Sequence, residues 1–213
     1  MTTHAKICGL STPEAVNAAL VGGAAMLAFN FFAKSPRLVG VETAARLADP
    51  ARGKVKIVAV TVDADDAEID RIASVLRPDL IQLHGKETPA RAASIKARTG
   101  AGVIRVLSIS GAEDFAPAVD YEGVVDHLMF DAKTPPGSDL PGGMGARFDW
   151  TMLKDRRFAR PWLLAGGLDP WNVAGAIAAS GAPLVDVSSG VERGPGLKDP
   201  ALISAFLDAV RRA

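Results

Sequence analysis

Cysteine is nearly absent from this sequence: Cys8 is the only one among 213 residues. A single thiol excludes an internal disulfide and a zinc site built from cysteines. An excess of either charge is also lacking, because 24 lysines and arginines balance 24 aspartates and glutamates. The balance therefore gives no reason to expect nucleic acid or an acidic membrane surface as a partner.

Long apolar runs are missing as well, and none reaches the length that a membrane-spanning helix requires. The first residues lack the charged and then apolar pattern of a signal peptide, because strand-like sequence begins almost at once. We therefore expect a cytoplasmic protein with no membrane partner. A chain of 213 residues can form one large α/β domain or two small ones.

Short segments rich in Val, Ile, Leu and Phe recur along the chain and are typical of strands buried on both faces. They occupy residues 5–10, 26–32, 56–62, 80–85, 102–109, 127–132, 162–167 and 184–189. Amphipathic segments that predict helices lie between and after them, at residues 13–20, 41–48, 65–76, 88–99, 111–119, 149–156, 171–180 and 201–210.

Eight strand–helix units predict an α/β fold with one domain, residues 1–213, closed as a single (β/α)₈ TIM barrel. An open doubly wound sheet is the structural alternative. It would usually need fewer units, and no Gly-x-Gly-x-x-Gly motif follows the first strand.

Cys8 stands at the end of the first predicted strand, before Gly9 and a helix-start signal. Side chains alternate along a strand, so Lys6 and Cys8 share one face and Ile7 takes the other. A cation that close should favour the thiolate, which is the reactive form of cysteine. The alternative is a small buried apolar residue, which is the commoner role of a lone cysteine.

Other polar residues also lie at the carboxyl ends of predicted strands, where barrel enzymes carry their active sites. Asp131 would be a natural acid partner for Cys8 in an isomerase, unless it caps the next loop. Arg37 offers a planar fork for a substrate carboxylate, or is an ordinary surface residue. His84 could be a base, a hydrogen-bond donor or a satisfied strand-end residue, and we favour a supporting role.

The last two strands run into small residues, namely Gly166 and Gly167 and then Ser188, Ser189 and Gly190. Barrels commonly bind phosphate in these two loops, where glycines let backbone N–H groups turn toward an anion. A short helix beginning near Ser189 would add its positive N-terminal end. Two tight turns without a ligand are the alternative. The one long irregular stretch, residues 133–147, follows the sixth strand on the same face, and such loops are functional or disordered.

Seven segments of the chain resemble, in order and in spacing, the phosphoribosylanthranilate isomerase family, and the resemblance covers essentially the whole sequence. They are Lys6-Ile7-Cys8-Gly9, Lys34-Ser35-Pro36-Arg37, Gln82-Leu83-His84-Gly85, Gly142-Gly143-Met144-Gly145 with Phe148-Asp149-Trp150, Leu164-Ala165-Gly166-Gly167-Leu168, Asp186-Val187-Ser188-Ser189-Gly190-Val191-Glu192 and Pro195-Gly196-Leu197-Lys198-Asp199. The resemblance implies a (β/α)₈ barrel of tryptophan biosynthesis. Its reaction is an Amadori rearrangement of N-(5-phosphoribosyl)anthranilate to 1-(2-carboxyphenylamino)-1-deoxyribulose 5-phosphate.

The resemblance also implies roles for individual residues. Cys8 matches the general base and Asp131 the general acid, while Arg37 matches the residue that holds the anthranilate carboxylate. His84 and Asp186 match positions that line the site, and the glycines and serines of the last two loops match the phosphate-binding residues. Metal and cofactor are not needed, because the substrate supplies its own electron sink.

Met144 departs from the family pattern, which usually has Ser or Thr there, so the hydroxyl of that position is lost while the flanking glycines are kept. Relatives occur as monomers and dimers, and we expect a monomer or a homodimer.

Two other functions fit the fold. One is another sugar-phosphate aldose–ketose isomerase, such as that of the histidine pathway, whose relatives carry an aspartate where Cys8 stands. The other is a barrel that only binds phosphorylated metabolites, which would not need Cys8 and Asp131.

Overall fold

The computed structural model of the protein describes residues 2–134, 137 and 141–213. Eight parallel strands follow one another around a closed barrel, and the eighth pairs with the first. The strands are β1 (His4–Cys8), β2 (Met26–Asn30), β3 (Lys56–Thr61), β4 (Leu80–Leu83), β5 (Gly102–Ile109), β6 (His127–Ala132), β7 (Trp162–Leu164) and β8 (Leu184–Val187). The predicted (β/α)₈ barrel is confirmed.

Helices surround the barrel, although not after every strand. The α-helices are α1 (Pro13–Val21), α2 (Val41–Ala48), α3 (Asp66–Val75), α4 (Pro89–Thr99), α5 (Ala118–Tyr121), α6 (Val173–Ser180) and α7 (Pro200–Arg212). A short antiparallel hairpin, β9 (Glu192–Gly194) with β10 (Leu197–Lys198), follows β8 and was not predicted.

Two of the predicted helices were wrong in type. The segment 111–119 forms a 3₁₀ turn, Ala112–Phe115, and then the four-residue α5. Pro117 falls inside that segment, and proline cannot supply the N–H that a continuous helix needs there. The segment 149–156 forms only the 3₁₀ turn Trp150–Leu153, because the chain leaves the helical conformation at Lys154 and takes a positive φ at Asp155.

The helix boundaries follow the local signals. The Thr12 side chain accepts a hydrogen bond from Ala15 N at 3.3 Å and so caps the N-terminus of α1. Gly100 ends α4 in the left-handed conformation, with φ of 70°, as glycine commonly does after a helix. None of the described helices combines the length and the apolar character that crossing a membrane would require.

The strands divide their side chains between two apolar clusters. Ile7 belongs to the large cluster between the barrel and its helices, whereas Cys8 belongs to the smaller cluster inside the barrel. The predicted alternation along β1 is therefore confirmed. On β6, Phe130 packs outward, so Asp131 follows it on the inward face.

A buried ion pair joins β1 to β8, where the barrel closes. The strand register places Lys6 opposite Asp186, and Lys6 Nζ lies 2.7 Å from Asp186 Oδ1. Lys6 is fully buried. Burial by itself would lower the pKa of Lys6, but the charge and hydrogen bond of Asp186, together with Cys8, hold that pKa above its usual value.

Removal of the Lys6 charge should destabilise the barrel strongly. We expect Lys6→Met to lower the free energy of unfolding by about 3–5 kcal/mol, because it leaves Asp186 buried without its partner. Urea denaturation followed by circular dichroism measures the loss. The double variant Lys6→Met/Asp186→Leu should regain much of it, because no unpaired charge remains.

The exposed pair Arg71–Glu42 supplies a control, since more than half of each side chain is accessible. Arg71→Met should change the urea midpoint little. A Lys6→Met loss as small as that of Arg71→Met would contradict the importance of the buried pair.

Candidate active site

One cavity opens at the carboxyl ends of the strands and has two adjoining parts, of about 500 Å³ and about 380 Å³. Six of the predicted site residues line the larger part: Cys8, Arg37, His84, Asp131, Asp186 and Ser188. Asp131, Asp186 and Ser188 line the smaller part as well. The fold thus brings together residues from β1, β4, β6 and β8 and from the loop after β2.

Cys8 is buried and is surrounded by charges of both signs. Burial is the largest influence and raises the pKa of the thiol, and Asp186 acts in the same direction. Lys6, Lys198 and Arg37 lower it, but their combined effect is smaller. Lys6 therefore does what the sequence predicted, yet the expectation of a favoured thiolate in the free protein was wrong, because desolvation outweighs the neighbouring cation.

Asp131 lies next to His84 at the mouth of the barrel. Asp131 Oδ2 is 3.4 Å from His84 Nε2, but the contact lacks hydrogen-bond geometry, and Nε2 has no hydrogen-bond partner among the described residues. The other carboxylate oxygen, Oδ1, accepts a hydrogen bond from Ala132 N at 2.9 Å. Gly142 approaches the same carboxylate so closely that a Cβ there would lie 2.5 Å from Oδ2.

The loop that carries His84 is held by one buried carboxylate. Glu87 accepts hydrogen bonds from Gly85 N at 2.9 Å and from Asp63 N at 2.8 Å, and Arg105 Nη1 donates to it at 2.8 Å. This network fixes the turn after β4 against the turn after β3. His84 is therefore presented to the cavity by a rigid loop.

Arg37 reaches the cavity, but its fork is already occupied. Arg37 Nε and Nη2 donate to the two carboxylate oxygens of Glu192, at 2.7 and 2.9 Å, and Nη2 also donates to Gly143 O at 3.1 Å. Only Nη1 is left without a hydrogen bond to a described residue. The sequence suggested that the fork of Arg37 would bind a substrate carboxylate, but Nε and Nη2 already donate to Glu192, so that edge is not available in this arrangement.

Glu192 is shared between two buried cations. Lys198 Nζ lies 2.6 Å from Glu192 Oε1 and also donates to Ser188 O at 2.8 Å. Burial raises the pKa of Glu192, but Arg37 and Lys198 together lower it below its usual value. The hairpin β9–β10, which supplies Glu192 and Lys198, therefore positions Arg37 at the edge of the cavity.

The smaller part of the cavity forms a cup at the ends of β7 and β8. Gly166, Gly167, Ser188 and Ser189 line it. Positive φ angles of 92° at Gly166 and 63° at Gly167 turn the chain there, and neither backbone N–H donates a hydrogen bond to a described residue.

Gly190, the fifth residue predicted to bind phosphate, does not line the cup. A side chain at Gly190 would collide with Leu168 O, so this glycine lets the last loop pack against the loop after β7. The predicted helix near Ser189 is a single 3₁₀ turn, Ser189–Val191.

Described residues of the long stretch 133–147 lie beside the cavity. Its residues 135, 136 and 138–140 lie outside the described residues, whereas 141–146 line one or both parts of the cavity. Met144 is about half exposed, and its position lines the cup.

Several residues that shape the site were not assigned a role from the sequence. Glu192 and Lys198 fall within matched segments, and Glu87 follows one, but only the folded chain shows their contacts with Arg37, Ser188 and Arg105. Gln82, on the inward face of β4, also lines the larger part of the cavity. Its position two residues before His84 was the available signal, because residues i and i+2 share a strand face.

A closed (β/α)₈ barrel in which a thiol, a carboxyl group and an arginine surround one cavity beside a glycine-lined cup is the architecture of a sugar-phosphate isomerase. The family model for "N-(5'phosphoribosyl)anthranilate (PRA) isomerase" matches residues 5–209. The chain belongs to this family of isomerases.

Relatives agree over nearly the full length. An N-(5'-phosphoribosyl)anthranilate isomerase of Caulobacter vibrioides is 67% identical over 210 residues, covering 98% of this chain and 96% of that protein. The crystal structure of phosphoribosyl anthranilate isomerase from Thermotoga maritima superimposes with a TM-score of 0.88 at 33% identity, covering 99% of this chain and all of that one. Another crystal structure of the enzyme, with a TM-score of 0.85 at 30% identity and coverage of 99% and 100%, contains reduced 1-(o-carboxyphenylamino)-1-deoxyribulose 5-phosphate.

In the free protein, the pKa of the Cys8 thiol should lie above the usual value for a cysteine. Because burial raises this pKa, we expect a titration midpoint above the usual value. The rise of thiolate ultraviolet absorbance with pH measures it, and Cys8→Ser provides the baseline, since the chain has no other cysteine. A midpoint below the usual value would mean that Lys6, Lys198 and Arg37 dominate over burial.

Proposed function

We propose that the protein converts N-(5-phosphoribosyl)anthranilate to 1-(2-carboxyphenylamino)-1-deoxyribulose 5-phosphate, a step of tryptophan biosynthesis, with Cys8 as general base and Asp131 as general acid. The observation that carries the assignment of these two residues is that both line the larger part of one cavity in a barrel of the isomerase family. Family membership supports the reaction itself.

The reaction needs one proton donated and one removed. Asp131 would protonate the ribose ring oxygen, so that the C1–O bond breaks and an iminium cation forms at C1. The thiolate of Cys8 would then take the proton from C2, and the electron pair of that C–H bond neutralises the iminium to give an enolamine. Tautomerisation moves the enol proton to C1 and leaves the ketone at C2, so substrate and product are isomers.

The iminium also resolves the electrostatic difficulty at Cys8. In the free protein, burial disfavours the thiolate. Ring opening places a positive charge beside the thiol, at the carbon next to the one that loses its proton. This charge acts in the same direction as Lys6 and favours loss of the thiol proton to solvent, so the thiolate that forms can take the proton from C2.

The two charged ends of the substrate have separate places. The cup at the ends of β7 and β8 offers to the phosphate the N–H groups of Gly166 and Gly167, which donate to no described residue, with Ser188 and Ser189 beside them. At the other side, Arg37 Nη1 would bind the anthranilate carboxylate, while Glu192 holds the guanidinium in place. Gly190 contributes by close packing with Leu168.

His84 and Asp186 complete this proposal. The Nε2 of His84 lies near Asp131, has no hydrogen-bond partner within the described part of the chain, and would donate to the sugar or assist the acid. Asp186 lines both parts of the cavity and keeps Lys6 charged beside Cys8.

We further propose that residues 1–213 act as one catalytic domain, since the family model spans 5–209. The cytoplasmic location, the lack of a nucleic-acid partner, the independence from metal or cofactor, and a monomeric or dimeric state stay predictions. Among the described residues, no group of three or more His, Cys, Asp or Glu is arranged to hold a metal ion.

Turnover of freshly prepared N-(5-phosphoribosyl)anthranilate tests the function. The parent protein should convert it to the ketose in the presence of a chelator, followed by the loss of substrate fluorescence. Cys8→Ser and Asp131→Asn should each lower kcat by about 10²-fold or more, because each removes one of the two proton-transfer groups.

Both variants should still bind the reduced product analogue, which shows that the pocket is intact. Parent protein without turnover would overturn the proposed reaction. A Cys8→Ser variant that keeps most of its activity would show that the thiol only packs the barrel.

The role of Arg37 can be tested from the ligand side. We expect Arg37→Met to weaken binding of the reduced product analogue by about 10- to 100-fold, the value of a charge-assisted hydrogen bond to a carboxylate. The same analogue without its carboxylate should bind the parent and Arg37→Met with similar affinity. If Arg37→Met weakened the binding of both ligands equally, Arg37 would shape the pocket without contacting the carboxylate.

A further inference from the structure

A buried amide inside the barrel has no role in the mechanism described above. Gln82 lies on β4 with 1% of its surface exposed, between Val60 on β3 and Ile104 on β5. Val60 and Ile104 belong to the apolar cluster inside the barrel. Gln82 is thus a polar side chain on an otherwise apolar part of the inner wall.

The amide oxygen of Gln82 is not satisfied within the protein. Oε1 is buried and has no hydrogen-bond partner among the described residues. Buried polar side chains are nearly always hydrogen-bonded, because the loss of water is otherwise uncompensated. An apolar residue would fill this place on the wall at lower cost, so the amide needs another explanation.

The surroundings of Gln82 indicate what it faces. It lines the larger part of the cavity together with Cys8, His84 and Asp131, and it does not line the glycine cup. His84 stands two residues further along the same strand face, nearer the mouth. The amide therefore lies at the inner end of the region where the proposed proton transfers occur, and outside the glycine cup.

We propose that Gln82 is a substrate-binding residue whose amide oxygen accepts a hydrogen bond from a neutral donor in the middle of the substrate, either a sugar hydroxyl or the anilino N–H. This inference rests on the proposed function. An uncharged acceptor suits an uncharged donor, and the two charged ends of the substrate already have partners at Arg37 and in the cup. The bond fixes the sugar carbons between Cys8 and Asp131.

Gln82→Met tests the inference, because methionine has a similar length and volume and no amide. We expect kcat/KM to fall by about tenfold, since a substrate donor would be left without its acceptor. The free protein should be as stable as the parent or more stable in urea, because an unsatisfied buried group has been removed. A purely structural role predicts the opposite pair of results, with reduced stability and unchanged kinetics, and would overturn the proposal.

Thr61→Val is the matched control. Thr61 is equally buried on β3, points away from the cavity, and its hydroxyl does have a partner, Gln82 O at 3.3 Å. This variant should lose some stability and keep the kinetics of the parent. It thereby separates the loss of a buried polar group from the loss of a contact with substrate.

Binding of modified ligands identifies the donor. The reduced product analogue is compared by calorimetry with versions lacking one hydroxyl each, and with a version in which oxygen replaces the anilino N–H. The analogue that lacks the true donor should bind the parent about tenfold more weakly, yet bind Gln82→Met no more weakly than the complete analogue does. Losses that are equal in the parent and Gln82→Met for every analogue would overturn the proposal.

The activity of the parent protein distinguishes a failure of this inference from a failure of the proposed function. A parent without activity would overturn both. An active parent whose kinetics are unchanged in Gln82→Met would overturn only the role of Gln82.

Discussion

The ion pair between Lys6 and Asp186 lies where the first and last strands of the barrel meet. Two charges are stable at this depth only together, so the pair constrains the register of β1 against β8. That register places Cys8 beside Ser188, whose hydroxyl lies 3.4 Å from Cys8 O. The base proposed for the reaction and the last loop of the anion cup are thus neighbours because the barrel closes in this way.

Closure also determines the electrostatics of the thiol. Cys8 is buried at the same seam, and burial raises its pKa more than the nearby cations lower it. A thiol that stays protonated in the free protein is a poor nucleophile, which protects this cysteine from side reactions. The positive charge that develops on the substrate then stabilises the thiolate, which Lys6 alone does not stabilise enough.

A second group of charges is built from parts that are far apart in the chain. Arg37 follows β2, whereas Glu192 and Lys198 belong to the hairpin after β8. Glu192 uses both of its oxygens on Arg37, which leaves one end of the guanidinium for the cavity. The two contacts with Glu192 restrict the Arg37 side chain to one orientation before substrate binds, so less side-chain conformational entropy is lost on binding.

The sequence by itself determined the order and position of the eight strands, because each is a short apolar run that any neighbour would bury. It also located Cys8, Asp131, Arg37, His84 and Asp186 at strand ends, where barrel topology requires them to converge. Helices after β5 and β6 were overestimated, because amphipathic periodicity does not reveal where a proline or a positive φ ends a helix.

Only the tertiary structure decided the chemical state of these residues. Whether Lys6 activates Cys8 depends on Asp186, which is 180 residues away and competes for the same ammonium group. Whether the fork of Arg37 is free depends on Glu192, 155 residues away. Desolvation and ion pairing depend on all the groups that surround a residue in space. The sequence identifies these groups, but it does not give the distances between them that determine each pKa.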